Sequence, residues 1–292
     1  MKTSTPVAES KRILLVGSTG RVGQMVMHHW RSKPPTGVEF IAQHRDPDRN
    51  DGLFWSLAEP LEDGLAGRQI DAIICLAGVT PGPDADMAQN TRLAEAVLAA
   101  AHKAGIRRVL LASSSAVYGA GNGTPFAESD ATAAVNAYGA AKIAMEAACT
   151  PWRDAGLEIC CLRIGNVAGA DALLMNVARA AEGAPLTIDC FEDGRGPVRS
   201  YIGARTLADI LANLATRPSV LPKILNIAEL DFVFMEDLAR AADHPFTYRP
   251  AQVGAFQRIT LDCRRLRALH TFDPDTANAA RMVAQWKETL PR

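Results

Sequence analysis

The stretch KRILLVGSTGRVGQMVMHHW, from Lys11 to Trp30, decides the fold. Its first six residues form an apolar run of strand type, three glycines follow at Gly17, Gly20 and Gly23, and a helical pattern opens at Val22. Strand, glycine turn and helix in that order make a cradle for a dinucleotide. Gly17 permits the tight turn, Gly20 lets backbone amides approach a pyrophosphate, and Gly23 lets the helix pack close to the strand. The helix N-terminus adds partial positive charge for the phosphates. The spacing is GxxGxxG rather than GxGxxG, so the strand before it and the helix after it carry the reading.

Outward from that turn, the chain alternates strand and helix. The patterning predicts strands near 13–16, 38–42, 52–56, 72–76, 109–112 and 158–163, and helices near 20–32, 84–104, 134–153 and 171–182. Such alternation gives an α/β fold of Rossmann type: a doubly wound parallel sheet covered on both faces. Past Gly165 the elements shorten and Pro and Gly recur, as in FEDGRGPV (191–198), which points to a smaller C-terminal lobe built over the cleft. The expected division is a dinucleotide-binding domain over 1–165 and a substrate-binding lobe over 166–292, partly interleaved with it.

Composition narrows the class. The chain has 292 residues with 31 basic and 32 acidic side chains, a balance that argues against a nucleic-acid or membrane surface built on bulk charge. No apolar run reaches the length of a bilayer span, and the first residues, MKTSTPVAESKR, lack the apolar core of a leader, so the expected location is the cytoplasm. The six cysteines form no CxxC pair and sit mostly in apolar segments, as reduced core residues do. The histidines offer no ligand spacing, and no metal is expected.

The chemistry is concentrated at Ser114, Tyr138 and Lys142. Tyr138 and Lys142 are four residues apart and so share one helix face. An ammonium near a phenol favours the phenolate, and the spacing predicts a Tyr138 pKa drawn below its usual value of about 10. Taken singly, Ser113 to Ser115 can end a strand, Tyr138 can be a half-buried helix aromatic, and Lys142 can be solvated. Downstream of a dinucleotide cradle, in this order, they read as hydride-transfer machinery.

The chain resembles the extended short-chain dehydrogenases/reductases, in particular the NAD-dependent epimerase/dehydratase group that works on nucleotide sugars. The resemblance lies in GSTGRVG (17–23), CLAG (75–78), Asn90, SSSAVYG (113–119), YGAAK (138–142), LRIGNVAG (162–169), RSYIGARTLADIL (199–211) and LDCRRLRAL (261–269), and spans nearly the whole chain. It implies that Tyr138 is the acid or base, that Ser114 hydrogen-bonds the reacting oxygen, and that Lys142 binds the nicotinamide ribose and tunes the phenol. It implies a cofactor cradle of Gly17, Thr19, Gly20, Arg21, Val22, Gly23, Leu76, Ala77, Gly78, Asn90 and Ser113, together with Tyr138 and Lys142. On the substrate side it implies Thr80 and Ser115, with Asn166 and Arg199 meeting the diphosphate of a nucleotide sugar and Arg249 supplying the second cation. Sugar 4,6-dehydratases of the family carry an Asp-Glu pair after the hydroxyl residue; Ser115 and Ala116 stand there, which disfavours dehydration. The chain departs from the family pattern in a shorter loop between Gly78 and Asn90, in Thr206 where an acidic residue is usual, and in its small size.

Cofactor preference is read at the end of the second strand, FIAQHRD (40–46). An acid there accepts from the ribose 2′-OH of NAD, whereas a cation accommodates the 2′-phosphate of NADP. Gln43 or His44 occupies the expected acidic position and Arg45 follows, with Arg21 as a second cation, so NADP is expected. NAD is the alternative, with Asp46 in the acidic role if the strand runs one or two residues longer. The small-residue helices near 84–104 and 134–153 predict a homodimer through a four-helix interface of the kind common in the family. Two other readings stay open: a reductase or dehydrogenase of a non-nucleotide carbonyl compound, and a dinucleotide sensor without turnover. Sensors of this fold tend to lack the Tyr and Lys.

Overall fold

The computed structural model of the protein describes residues 10–59, 61, 65, 67–181, 183–273 and 278–290. Segment 1–9, read above for a leader, and residue 182, the last of a predicted helix, lie outside the described residues. The chain opens with β1 (Lys11–Val16), α1 (Arg21–Ser32), β2 (Val38–His44), the short β3 (Leu53–Phe54), β4 (Ala72–Cys75), α2 (Gln89–Lys103) and β5 (Arg108–Ser114). After β5 come α3 (Ala137–Ala148), α4 (Thr150–Asp154), β6 (Glu158–Ile164), β7 (Asn166–Val167), α5 (Ala172–Arg179), β8 (Leu186–Cys190) and β9 (Val198–Ile202). The chain continues through α6 (Ala204–Thr216), β10 (Ile224–Ile227), β11 (Phe232–Phe234), α7 (Met235–Ala241), β12 (Phe246–Pro250), β13 (Arg258–Ile259), α8 (Arg264–Leu269) and α9 (Ala279–Glu288).

A seven-stranded sheet runs in the order β10-β6-β5-β4-β1-β2-β3, and every pairing in it is parallel. The sequence explains why both faces are covered. Successive strand residues point to opposite faces, and in β1 both sets are apolar: Ile13 and Leu15 enter one core, Leu14 and Val16 the other. β4 does the same with Ile74 and Ile73, and β5 with Leu110 and Val109. α1 and α6 cover the first face, with Val26, Trp30, Leu207 and Leu211 in its core. Val97 and Leu98 of α2 and Met145 of α3 fill the second. Strand order reverses between β1 and β4, and the crevice beyond the strand ends at such a switch point is where open α/β sheets bind ligands.

The later elements form a smaller core of Leu173, Leu174, Ile188, Tyr201, Val233 and Trp286. Here β11, β9, β13 and β7 make a second sheet, and β12 pairs with β8. Between them, α6 and β10 return to the main layer, so the chain crosses between the two bodies more than once. α9 fastens the return. Its Gln285 Oε1 accepts from the backbone N–H of Arg205 at 2.9 Å and of Thr206 at 3.2 Å, and so caps α6 from outside. A side chain on Gly203 would place its Cβ 2.2 Å from that amide oxygen, so the cap needs glycine there.

The predicted strands are all present, with ends that shift by a few residues. The predicted helix near 84–104 starts only at Gln89, because the residues before it form turns. The one near 134–153 divides at Cys149, where Pro151 sits in the first turn of α4 and has no N–H to continue the ladder.

Candidate functional site

The glycine turn is closed by contacts that leave room for no other residue. Gly17 has φ +84°, and a Cβ on it would lie 2.5 Å from the Ala77 nitrogen; a Cβ on Gly23 would lie 2.1 Å from the Gly17 oxygen. The first condition brings β1 and β4 edge to edge at the switch point, and the second lets α1 start immediately above the turn. α1 begins at Gly20 with no side-chain cap and no acid in its first turn, so its leading amides face the crevice without an internal anion. This turn fits a pyrophosphate.

From the turn a groove of 630 Å³ runs between the ends of β2 and β4. Gly17, Thr19 and Gly20 line one side, Leu76, Ala77 and Gly78 the other, and Gln43 and Arg45 the far end. The β2 alternation separates neighbours: Gln43 and Arg45 face the groove, whereas His44 is 0% exposed and does not line it. His44 was expected at the cofactor, but its ring is sealed in the interior with both nitrogens unpartnered. Gln43 holds the turn instead. Its Oε1 accepts from Gly17 N at 2.9 Å and its Nε2 donates to Trp55 O at 2.5 Å. Arg21 lines a different groove, described below.

Leu76, Gly78 and Val79 continue into an adjoining cavity of 270 Å³. Ser114, Tyr138 and Lys142 all line it, together with Val22, Thr80, Asn90 and Asn166. Three consecutive residues at the end of β5 clasp three successive turns of α3. The Ser114 hydroxyl stands close enough to the Tyr138 phenol to act on its pKa, the Ala112 carbonyl accepts from Lys142 Nζ at 2.8 Å, and the Ser113 hydroxyl donates to Glu146 at 2.5 Å. Asn136 caps α3, accepting from Gly139 N at 2.8 Å, so the helix starts immediately before its phenol.

Lys142 is 3% exposed, and its ammonium stands 5.8 Å from the centre of the Tyr138 ring. Burial lowers its pKa, against which Cys75, Cys161 and Glu146 raise it. The phenol behaves differently from the sequence expectation. Burial raises the Tyr138 pKa, the Ser114 hydrogen bond opposes that, and Lys142 is not among the groups acting on it. Desolvation therefore outweighs the expected help from the ammonium, which is turned toward the β5 carbonyl.

Asn90, 1% exposed, is a brace. Its Oδ1 accepts from Val79 N at 3.1 Å and its Nδ2 donates to Val79 O at 3.0 Å and Met87 O at 3.2 Å, which folds the loop after β4 back onto α2. A Cβ on Gly78 would stand 2.9 Å from that Oδ1 and 3.2 Å from Lys142 Nζ, so a side chain here would crowd both groups.

Sequence reasoning missed Glu146 and Arg163. Arg163 on β6 is paired in register with Ser113, and its guanidinium donates to Glu146 at 2.8 and 3.1 Å while lying 4.7 Å over the Tyr118 ring. The signal was available: Glu146 follows Lys142 by one helical turn, and Arg163 sits inside LRIGN.

The substrate-side residues do not all converge. Asn166 and Thr80 line the cavity that holds Ser114, Tyr138 and Lys142; Ser115, Arg199 and Arg249 do not. Arg199 donates to the carbonyls of Val198 at 2.8 Å, Gln257 at 2.6 Å and Phe256 at 3.1 Å, and burial lowers its pKa. Arg249 is paired with Asp189 at 2.6 Å. Asp171 lines the cavity with a buried carboxyl, but it accepts from the N–H groups of Gly169, Leu173 and Leu174 as the cap of α5. Among the described residues no cluster suited to a metal ion occurs, and no helix is long and apolar enough to cross a membrane.

The model of the NAD dependent epimerase/dehydratase family matches residues 13–248. A UDP-glucose 4-epimerase of Azospirillum brasilense is 31% identical over 182 residues, which cover 56% of this chain and 51% of that protein, so the match spans about half of the relative's length. The fold is shared with MoeE5 in complex with UDP-glucuronic acid and NAD (TM-score 0.75, 22% identity, 95% and 98% of the two chains). It is shared too with the Thermus thermophilus UDP-glucose 4-epimerase in complex with NAD (TM-score 0.74, 20% identity, 94% and 99%).

Proposed function

The chain belongs to the NAD dependent epimerase/dehydratase family, and from that premise we propose that it is an epimerase or ketoreductase of nucleotide sugars working through Ser114, Tyr138 and Lys142. One observation carries the reading: the three side chains line a single cavity that opens into the dinucleotide groove through Leu76, Gly78 and Val79. A nicotinamide dinucleotide supplies a hydride donor or acceptor when bound. The protein's part is proton transfer and positioning. Tyr138 gives its phenolic proton to the carbonyl oxygen of the substrate in the reductive direction and takes it back from the carbinol in the oxidative one. Ser114 donates to the same oxygen and stabilises its developing charge. Lys142, released from Ala112, holds the nicotinamide ribose. Asn166 lines the same cavity, where a sugar hydroxyl or phosphate would meet it. Incubation with UDP-glucose and cofactor is expected to yield the 4-epimer or a reduced or oxidised sugar; no binding at millimolar UDP would remove the nucleotide sugar.

We propose NADP as the preferred cofactor, with NAD as the alternative. At the end of β2 the groove meets Gln43, which is engaged with Gly17 and Trp55, and Arg45, which has no acid beside it in the groove lining. A guanidinium there suits a 2′-phosphate. NADPH is expected to bind about tenfold more tightly than NADH, and Arg45→Ala to erase the difference, as one charge-assisted contact contributes about 1.5–3 kcal/mol.

A second reading, a carbonyl substrate without a diphosphate, is favoured by a specific observation: Arg199 and Arg249 are held by backbone carbonyls and by Asp189, outside the reaction cavity. For the assembly we propose a homodimer through α3, whose Ala137, Ala140, Ala144 and Ala147 form an exposed seam at alternating three- and four-residue spacing. Light scattering at micromolar concentration is expected to give twice the chain mass, and a monomer mass would refute the dimer.

A further inference from the structure

A groove of 880 Å³ opens beside the glycine turn, between α1, α5 and α9. We propose that it binds a phosphorylated small molecule distinct from the cofactor. Its lining contains Arg21, His28, Arg31, Arg49 and Arg179 and no acidic residue. Arg49 is engaged with Asp51 at 2.7 Å, and Arg31 reaches the same carboxylate at 3.9 Å. Arg21 and Arg179 have no acidic partner among the described residues. Arg21 and Arg31 share one face of α1 with His28, and Arg179 lines the same groove from α5. Like charges gathered around a concavity repel one another and raise the local potential for anions, and guanidinium groups match phosphate in geometry.

The rest of the lining tells what the anion is attached to. Met25, Met27, Met175, Trp286 and Leu290 make an apolar floor, which suits an organic phosphate better than a bare ion. The groove also has a route to the reaction centre. Thr19 lines both it and the dinucleotide groove. Gly169 belongs to the segment that carries Asn166, and the Trp286 ring packs so closely on it that a Cβ there would lie 2.0 Å from the indole. An occupant would therefore touch the turn that seats the cofactor and the loop that lines the reaction cavity.

Titration calorimetry of the full chain saturated with NAD, using inorganic tripolyphosphate as the probe, tests this. One-to-one binding is expected, accompanied by a change in Trp286 emission that is absent in Trp286→Phe. Arg179→Glu is expected to weaken binding at least about tenfold, as is Arg31→Glu, while Arg107→Glu, an exposed residue next to β5 and outside the groove, leaves it unchanged. Absence of binding, or an equal loss in Arg107→Glu, would overturn the site. So would binding that disappears when NADP replaces NAD, because the anion position would then be the cofactor's own 2′-phosphate.

Discussion

Replacing Tyr138 with Phe is expected to lower turnover by about 10²–10⁴-fold, the range that a positioned acid or base contributes, with dinucleotide affinity held within about twofold. The substitution removes one oxygen. The ring remains packed beside Lys142, whose ammonium is held by Ala112 and not by the phenol, so the helix keeps its place. What disappears is the hydroxyl beside Ser114 and, in the proposed function, the proton that passes to or from the substrate oxygen. The direction of the phenol's pKa adds a pH dependence. Burial raises it, so Tyr138 is protonated at neutral pH, as the proposed reductive role requires. Alcohol oxidation needs the phenolate, whose fraction grows with pH, so oxidation is expected to accelerate from neutral toward alkaline pH. Stopped-flow measurement of cofactor reduction with substrate in excess checks both statements. A Tyr138→Phe enzyme that keeps more than a tenth of the wild-type rate would assign the proton to another group.

Much of this site was legible before any coordinates. Gly17, Gly20 and Gly23 announced their turn because each does a separate backbone task, and tasks of that kind leave a fixed spacing. Tyr138 and Lys142 could be placed on one face because helical periodicity is local, whereas Ser114 lies on β5 and joins them only through the packing of α3 on that strand. Harder to read was anything that depends on which way a side chain turns. His44 and Arg45 are adjacent in sequence, yet a strand sends them to opposite faces, and only the register of β2 against β1 and β3 decides which one meets the groove. The Tyr138 pKa failed for a related reason: spacing put an ammonium nearby but could not count the water excluded around the phenol. Arg199 and Arg249 sit in the later lobe, where contacts join residues about sixty positions apart, such as Arg199 with Gln257 and Arg249 with Asp189. No local pattern encodes such partners.

The second large effect is on stability, and it falls on a residue that does not itself line the cavity but holds Ser113, which does. Glu146→Ala is expected to destabilise the protein by about 3–5 kcal/mol, the cost of leaving one member of a buried ion pair alone. Arg163 is 4% exposed and Glu146 8%, so neither has water to replace its partner. Removing the carboxylate strands the Arg163 guanidinium, which Glu146 and Tyr118 hold well above its usual pKa, and deprives the Ser113 hydroxyl of its acceptor. For a chain of 292 residues the loss corresponds to a fall of about 5–8 °C in Tm. The double variant Glu146→Met with Arg163→Met removes both charges and is expected to be more stable than either single one, because a buried pair replaced by apolar groups of similar volume is often neutral. Circular dichroism melts of the five proteins decide it; a Glu146→Ala protein that melts with the wild type would show that the pair carries no such cost. Catalysis should follow stability here for a geometric reason. Ser113 stands between Ala112, which holds Lys142, and Ser114, which lies beside Tyr138, so loosening its bond to Glu146 frees the helix turn that follows Lys142. The folded Glu146→Ala enzyme is therefore expected to lose kcat with KM little changed, the signature of misplaced reacting groups and not of weakened substrate binding.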